Sequence, residues 1–82
     1  MGIKIIKMIN GEELLADQSS ENTFKKIRVF HLGPEGKGGL MPWMMLAPDA
    51  EVEILSGICA ITEPSMDVEK SYISATSSLI LG

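Results

Sequence analysis

Ile3-Lys4-Ile5-Ile6-Lys7-Met8-Ile9-Asn10-Gly11-Glu12-Glu13-Leu14-Leu15-Ala16-Asp17 decides how this chain is read. Two apolar runs of strand length flank Asn10-Gly11, and Asn-Gly between such runs is the strongest short-range hairpin signal. A two-residue turn at Asn10-Gly11 would set Ile6 opposite Leu15. A three-residue loop Ile9-Asn10-Gly11, with Gly11 left-handed in a bulge, sets Ile6 opposite Leu14. The bulged closure is preferred, because it gathers Ile6, Met8, Leu14 and Ala16 on one face. The opposite face carries Ile3, Ile5 and Leu15 beside Lys7 and Asp17, too apolar to stay wet. Either the C-terminal segment or a neighbouring subunit is expected to cover it.

Outward from the hairpin, residues 18–23 are all polar and predict a loop. Phe24 to Leu32 predicts a third strand, with Lys25, Lys26 and Arg28 clustered near its start. The run Gly33-Pro34-Glu35-Gly36-Lys37-Gly38-Gly39 predicts a mobile hairpin tip. It lacks the Lys-Ser/Thr and following helix of a phosphate-binding loop. Leu40-Met41-Pro42-Trp43-Met44-Met45-Leu46 is the most apolar stretch. Pro42 has no amide hydrogen and confines it to an edge or a strand start. This stretch reads as core, or as a binding platform in which methionine adapts and tryptophan anchors.

Glu51 to Leu55 and Ile58 to Ile61 predict two more strands meeting at a corner, Ser56-Gly57. Ser65 then reads as the N-cap of a helix with Asp67 in its first turn and Val68, Tyr72 and Ala75 as its apolar stripe. Leu79-Ile80-Leu81 is read as a short closing strand. The whole is mainly β, one domain over residues 1–82, with a core at about 3–64, a C-terminal appendage at about 65–82, and no N-terminal helix.

Composition narrows the function classes. A chain of 82 residues buries only roughly 60% of the surface its unfolded state exposes. An apolar content of 45% exceeds what so small a core can hide, which points to burial between subunits. Eleven acidic against seven basic side chains exclude a uniformly basic nucleic-acid binder, leaving only a local patch. Lone Cys59, in an apolar run, forms no internal disulfide and is expected to be a small buried hydrophobe. The first residues lack the regions of a secretory signal, and no stretch approaches the ~20 apolar residues of a membrane span. A soluble, cytoplasmic protein without membrane contact is expected.

No catalytic constellation is legible: His31 is the sole histidine, and Glu12-Glu13 and Glu51/Glu53 read as solvated turn and strand edges. No catalytic residue, metal ligand or cofactor is assigned, and an enzyme is not expected. Phe24, Lys25, Lys26 and Arg28 are the one basic and aromatic patch. Single strands need that combination, cations to follow phosphates and a ring on which a base stacks for about 1–3 kcal/mol.

Five short strands, a leading Asn-Gly hairpin and a corner before the last strand are what a small, strongly bent barrel requires. Here the chain resembles the Sm-like (Sm/LSm) family, with its five-stranded SH3-like barrel. Met8-Ile9-Asn10-Gly11, Leu14 and Ala16 follow the spacing of that family's first motif, with alanine where glycine is usual. Val52 to Ile61 follows the outline of its second, with Ser56 in place of the arginine that precedes the glycine. Phe24-Lys25-Lys26-Ile27-Arg28 is the nearest counterpart of its base-binding loop. Pro-Trp-Met, Ala-Pro-Asp and Glu-Pro punctuation makes the chain most similar to short Sm-like proteins encoded by phages of marine cyanobacteria. The likeness covers about residues 3–64.

The resemblance implies a homo-oligomeric ring of about five to seven subunits, each adding an edge strand to its neighbour's sheet. It further implies single-stranded nucleic acid, RNA before DNA, held by Phe24, Lys25, Lys26 and Arg28 with Ser56 and Gly57 as a secondary contact. It implies a role in RNA or DNA processing, in the host cytoplasm if the protein is phage-encoded. The alternative is a non-catalytic structural or adaptor ring that meets other proteins through Pro42-Trp43-Met44-Met45.

Overall fold

The computed structural model describes residues 2–77. Six strands and a helix follow in order: β1 (Gly2–Met8), β2 (Glu13–Ser20), β3 (Thr23–Leu32), β4 (Gly38–Pro42), β5 (Glu51–Glu53), β6 (Ile58–Thr62) and α1 (Met66–Thr76). All pairings are antiparallel, in the order β4-β3-β2-β1-β6, with β5 also on β3. The protein is thus mainly β, a small antiparallel sheet with one short C-terminal helix.

The opening hairpin takes the bulged closure. Ile6 lies opposite Leu14, the Met8 amide donates to Glu12 O at 2.9 Å, and Gly11 adopts φ +96°. Asn10 stays out of the left-handed region; its side-chain oxygen instead accepts from the Glu12 amide at 3.0 Å. Ile6, Met8, Leu14 and Ala16 are all buried, joined in the core by Phe24, Ile27 and Ile54, with Val29, Trp43, Val52 and Ile58 packed around them.

The polar stretch expected as a loop over 18–23 is mostly strand, and only Glu21-Asn22 turns. Buried Gln18 reaches the Glu21 carbonyl through Nε2 at 3.1 Å, and the Ser19 hydroxyl bonds the Thr23 carbonyl and Glu51. With those side chains satisfied, polar residues can continue the ladder.

Six strands occupy five lanes, where five strands were expected. β3 pairs with β5 through Thr23–Lys25 and with β4 through Arg28–Leu32, so β4 and β5 share one lane interrupted by residues 43–50. The Trp43 amide, at the start of that excursion, donates to Ile27 O at 3.0 Å, and past β5 the Ile54 amide donates to Asn22 O at 2.9 Å. Trp43 Nε1 also donates to Glu12 Oε1 at 3.0 Å, tying the start of the excursion to the opening hairpin. A pair of turns, not a continuous strand, follows Pro42, leaving Met44, Met45 and Leu46 exposed.

The corner between β5 and β6 forms at Gly57, φ +95°, whose carbonyl accepts from the Ile9 amide at 2.6 Å. β6 ends the sheet on one side. Among the described residues no strand pairs with its outer flank, and Cys59 is exposed, not the buried hydrophobe expected of it.

Helix α1 begins at Ser65, whose hydroxyl accepts from the Val68 amide at 3.3 Å. It lies over the sheet face bearing Ile3, Ile5 and Leu15: Val68 shares a cavity with Ile5 and Leu15, and Tyr72 and Ile73 share another with Ile3. The apolar back of the hairpin is therefore partly covered by the chain's own C-terminal segment. The expected stripe of Val68, Tyr72 and Ala75 is corrected, since only Tyr72 is buried and both others are exposed. Tyr72 aims its hydroxyl at a backbone carbonyl, and that contact sets the helix rotation. The strand expected at Leu79-Ile80-Leu81 lies outside the described residues.

Candidate nucleic-acid interface

The sequence Phe24-Lys25-Lys26-Ile27-Arg28-Val29 does not alternate evenly. Phe24 and Ile27 are both fully buried although three positions apart, so the strand must slip phase between them. It does so at a β-bulge: Leu15 pairs with Arg28 and Asp17 with Lys25, leaving Lys26 and Ile27 together opposite Ala16. Lys26 takes φ +54°, a left-handed conformation that glycine normally supplies and that costs another residue about 1–2 kcal/mol.

The bulge distributes the four predicted residues over two faces. Phe24 is 0% exposed and belongs to the core, which corrects its assignment as a stacking surface: the slip that buries Ile27 leaves Phe24 buried as well. Arg28 is also buried and engaged. Its Nη1 donates to Pro48 O at 2.7 Å and Ile27 O at 3.3 Å, and its Nη2 to Asp49 Oδ1 at 2.8 Å. That guanidinium clasps the 43–50 excursion onto β3, so it is corrected from a ligand contact to a structural one. Lys25 is exposed and Lys26 half-buried, and these two remain as cations facing outward.

Their surroundings are mixed in charge. Lys25 has Asp17 across from it on β2 and Glu51 on β5, and Glu51 is bound by the Ser19 hydroxyl at 2.7 Å. Ser56 and Gly57 do not join this group. They sit at the corner bonded to the Ile9-Gly11 turn, whereas Lys25 and Lys26 are bonded through their carbonyls to α1. The structure therefore separates the predicted contacts into a two-lysine bulge and a glycine corner.

Tyr72 is the residue that sequence reasoning failed to connect to this site. Its hydroxyl donates to Lys26 O at 2.8 Å, with Lys25 O at 3.4 Å. Burial, reinforced by the negative charge of Asp17 and offset in part by Arg28, pushes its pKa up to about 12, so it is a neutral donor at ordinary pH. The phase slip in Phe24 to Val29 was a signal for the bulge; nothing in the spacing of Tyr72 pointed to Lys26.

Among the described residues, no three His, Cys, Asp or Glu side chains come together to hold a metal ion, and no helix is long and apolar enough to cross a membrane. No protein-family model and no curated protein matches this chain.

Proposed function

We propose that this chain is the subunit of a homo-oligomeric Sm-like ring that binds single-stranded nucleic acid, RNA before DNA, through Lys25 and Lys26. The observation that carries the assembly is the pair of unpartnered sheet edges. Among the described residues β4 pairs only with β3 and β6 only with β1, so within them each edge presents an open row of backbone donors and acceptors. Both are apolar where they face outward, with Met41 37% and Ile61 41% exposed. Unprotected apolar edges are strand-pairing surfaces, and two unlike edges on opposite sides of one subunit support head-to-tail pairing that closes a ring. The bulge at Lys26 and the corner at Gly57 supply curvature of the kind a strongly bent SH3-like sheet requires.

Ring closure repeats Lys25 and Lys26 in every subunit, so a bound strand meets a recurring pair of cations although each chain carries a net charge of −4. The chemistry is phosphate neutralisation without base-specific contacts, since neither Phe24 nor Arg28 is available. Solution mass by light scattering, followed by titration of a labelled oligonucleotide at low and moderate salt, tests both halves. A single defined oligomer is expected, with an affinity that falls as salt rises, by about 0.7 in log-log slope per phosphate neutralised. A monomer refutes the ring. Affinity unchanged in Lys25→Glu/Lys26→Glu, or undetectable at low salt, refutes the nucleic-acid site.

A second reading, a structural ring that docks other proteins, is favoured by one observation: Met45 is 67% and Leu46 101% exposed at the tip of the 43–50 excursion. It predicts a ring without oligonucleotide affinity whose protein partners are lost in Met45→Ser/Leu46→Ser.

A further inference from the structure

Helix α1 is attached to the sheet by an unusually narrow contact. Tyr72 is its only buried residue, while Met66 is 71%, Val68 37% and Ile73 49% exposed. On either side of that anchor the helix and sheet do not fill the space between them. A solvent-open cleft of about 210 Å³ lies between Val68 and the Ile5, Leu15 and Phe30 side chains, and one of about 250 Å³ lies among Ile3, Asp17, Lys26, Ile73 and Thr76. Both clefts open to solvent, so among the described residues little apolar surface besides the tyrosine is buried between helix and sheet. The tyrosine meets the sheet at its one strained strand residue, left-handed Lys26, and bonds that residue's carbonyl.

From this geometry we infer that α1 is a releasable strap that gates the Lys25–Lys26 site, an inference resting on the nucleic-acid reading above. Docked, α1 sets Tyr72, Ile73 and Thr76 beside Lys26, which is half-buried there. Released, it uncovers Lys26 to an approaching phosphate. The docked state then lowers the apparent affinity by the fraction of molecules it closes. No covalent or redox step is involved.

Tyr72→Phe is the perturbation of choice, because it keeps the buried ring and deletes only the hydroxyl. Losing one hydrogen bond shifts the docked-to-released ratio by about fivefold. The full chain is followed by amide hydrogen exchange and by titration with a labelled single-stranded oligonucleotide at low salt. The expected result is faster exchange over residues 66–76 with β1–β3 unchanged, together with an affinity raised by up to about fivefold. Exchange that rises equally in helix and strands shows that α1 is part of the cooperative core and overturns the strap. Local release without a gain in affinity overturns the gating. Absence of binding in the unsubstituted protein removes the nucleic-acid reading itself, and the gate with it; the unsubstituted titration distinguishes that failure from a failure of the strap.

Discussion

Gly11 and Gly57 form a natural pair for testing the register of the opening hairpin. They share nearly the same backbone conformation, φ +96° and +95°, in different surroundings. A Cβ added at Gly11 meets nothing within 4 Å, whereas at Gly57 it lies 3.3 Å from Met8 Cε and 3.8 Å from Ile9 Cγ2. Alanine at either site costs about 1–2 kcal/mol for an L-residue held left-handed. Reduced freedom of the unfolded chain returns roughly 0.4–1 kcal/mol of that. Gly11→Ala should therefore destabilise by about 1 kcal/mol, a Tm decrease of about 4–8 °C for a domain of this size. Gly57→Ala should destabilise by about 1 kcal/mol more, because Met8 is buried and must shift to admit the methyl. Urea unfolding followed by fluorescence of Trp43, the only tryptophan, measures both at one protomer concentration, which matters if subunits associate. A neutral or stabilising Gly11→Ala would refute the left-handed bulge, and equal losses in the two variants would refute the packing of Met8 against the corner.

Other outcomes follow from the same geometry. Tyr72 is protonated in both folded and unfolded chains below pH 10, so its contribution is complete there. Between about 10 and about 12 only the unfolded chain releases the proton, and stability falls by at most about 3 kcal/mol. Unfolding of the native chain and Tyr72→Phe compared across pH 9–12 should show this extra loss in the native chain alone. Arg28→Ala leaves the Pro48 carbonyl without its donor and should destabilise by about 2–3 kcal/mol, with a change in Trp43 emission. Asp49→Ala, whose side chain is 63% exposed, should cost less than about 1 kcal/mol in chemical denaturation. Phe24→Ala should cost about 3–5 kcal/mol, while folded Phe24→Leu should bind oligonucleotides as the native protein does, because the ring is out of a ligand's reach.

Much of the fold was legible because it rests on local rules. The Asn10-Gly11 dipeptide, the apolar runs of strand length in β1 and β2, the glycine corner at 57 and the Ser65 cap each act within a few residues. Each stands in the structure where the pattern placed it. The candidate site was less legible, since it depends on which face a strand presents. Phe24, Lys25, Lys26 and Arg28 look like one patch along the chain. A single left-handed residue between them sends Phe24 into the core and leaves Arg28 to be engaged by Asp49, twenty-one positions away.

The sequence by itself determined the β class, the hairpin and its buried face, and the presence of a C-terminal helix, because turn chemistry and hydrophobic periodicity are properties of neighbouring residues. Tertiary structure alone decided that the polar 18–20 segment is strand, that the 43–50 excursion splits a lane, and that Tyr72 closes over Lys26. Those outcomes depend on hydrogen bonds between residues far apart in the chain, Arg28 to Pro48 and Tyr72 to Lys26 among them, which no local pattern encodes.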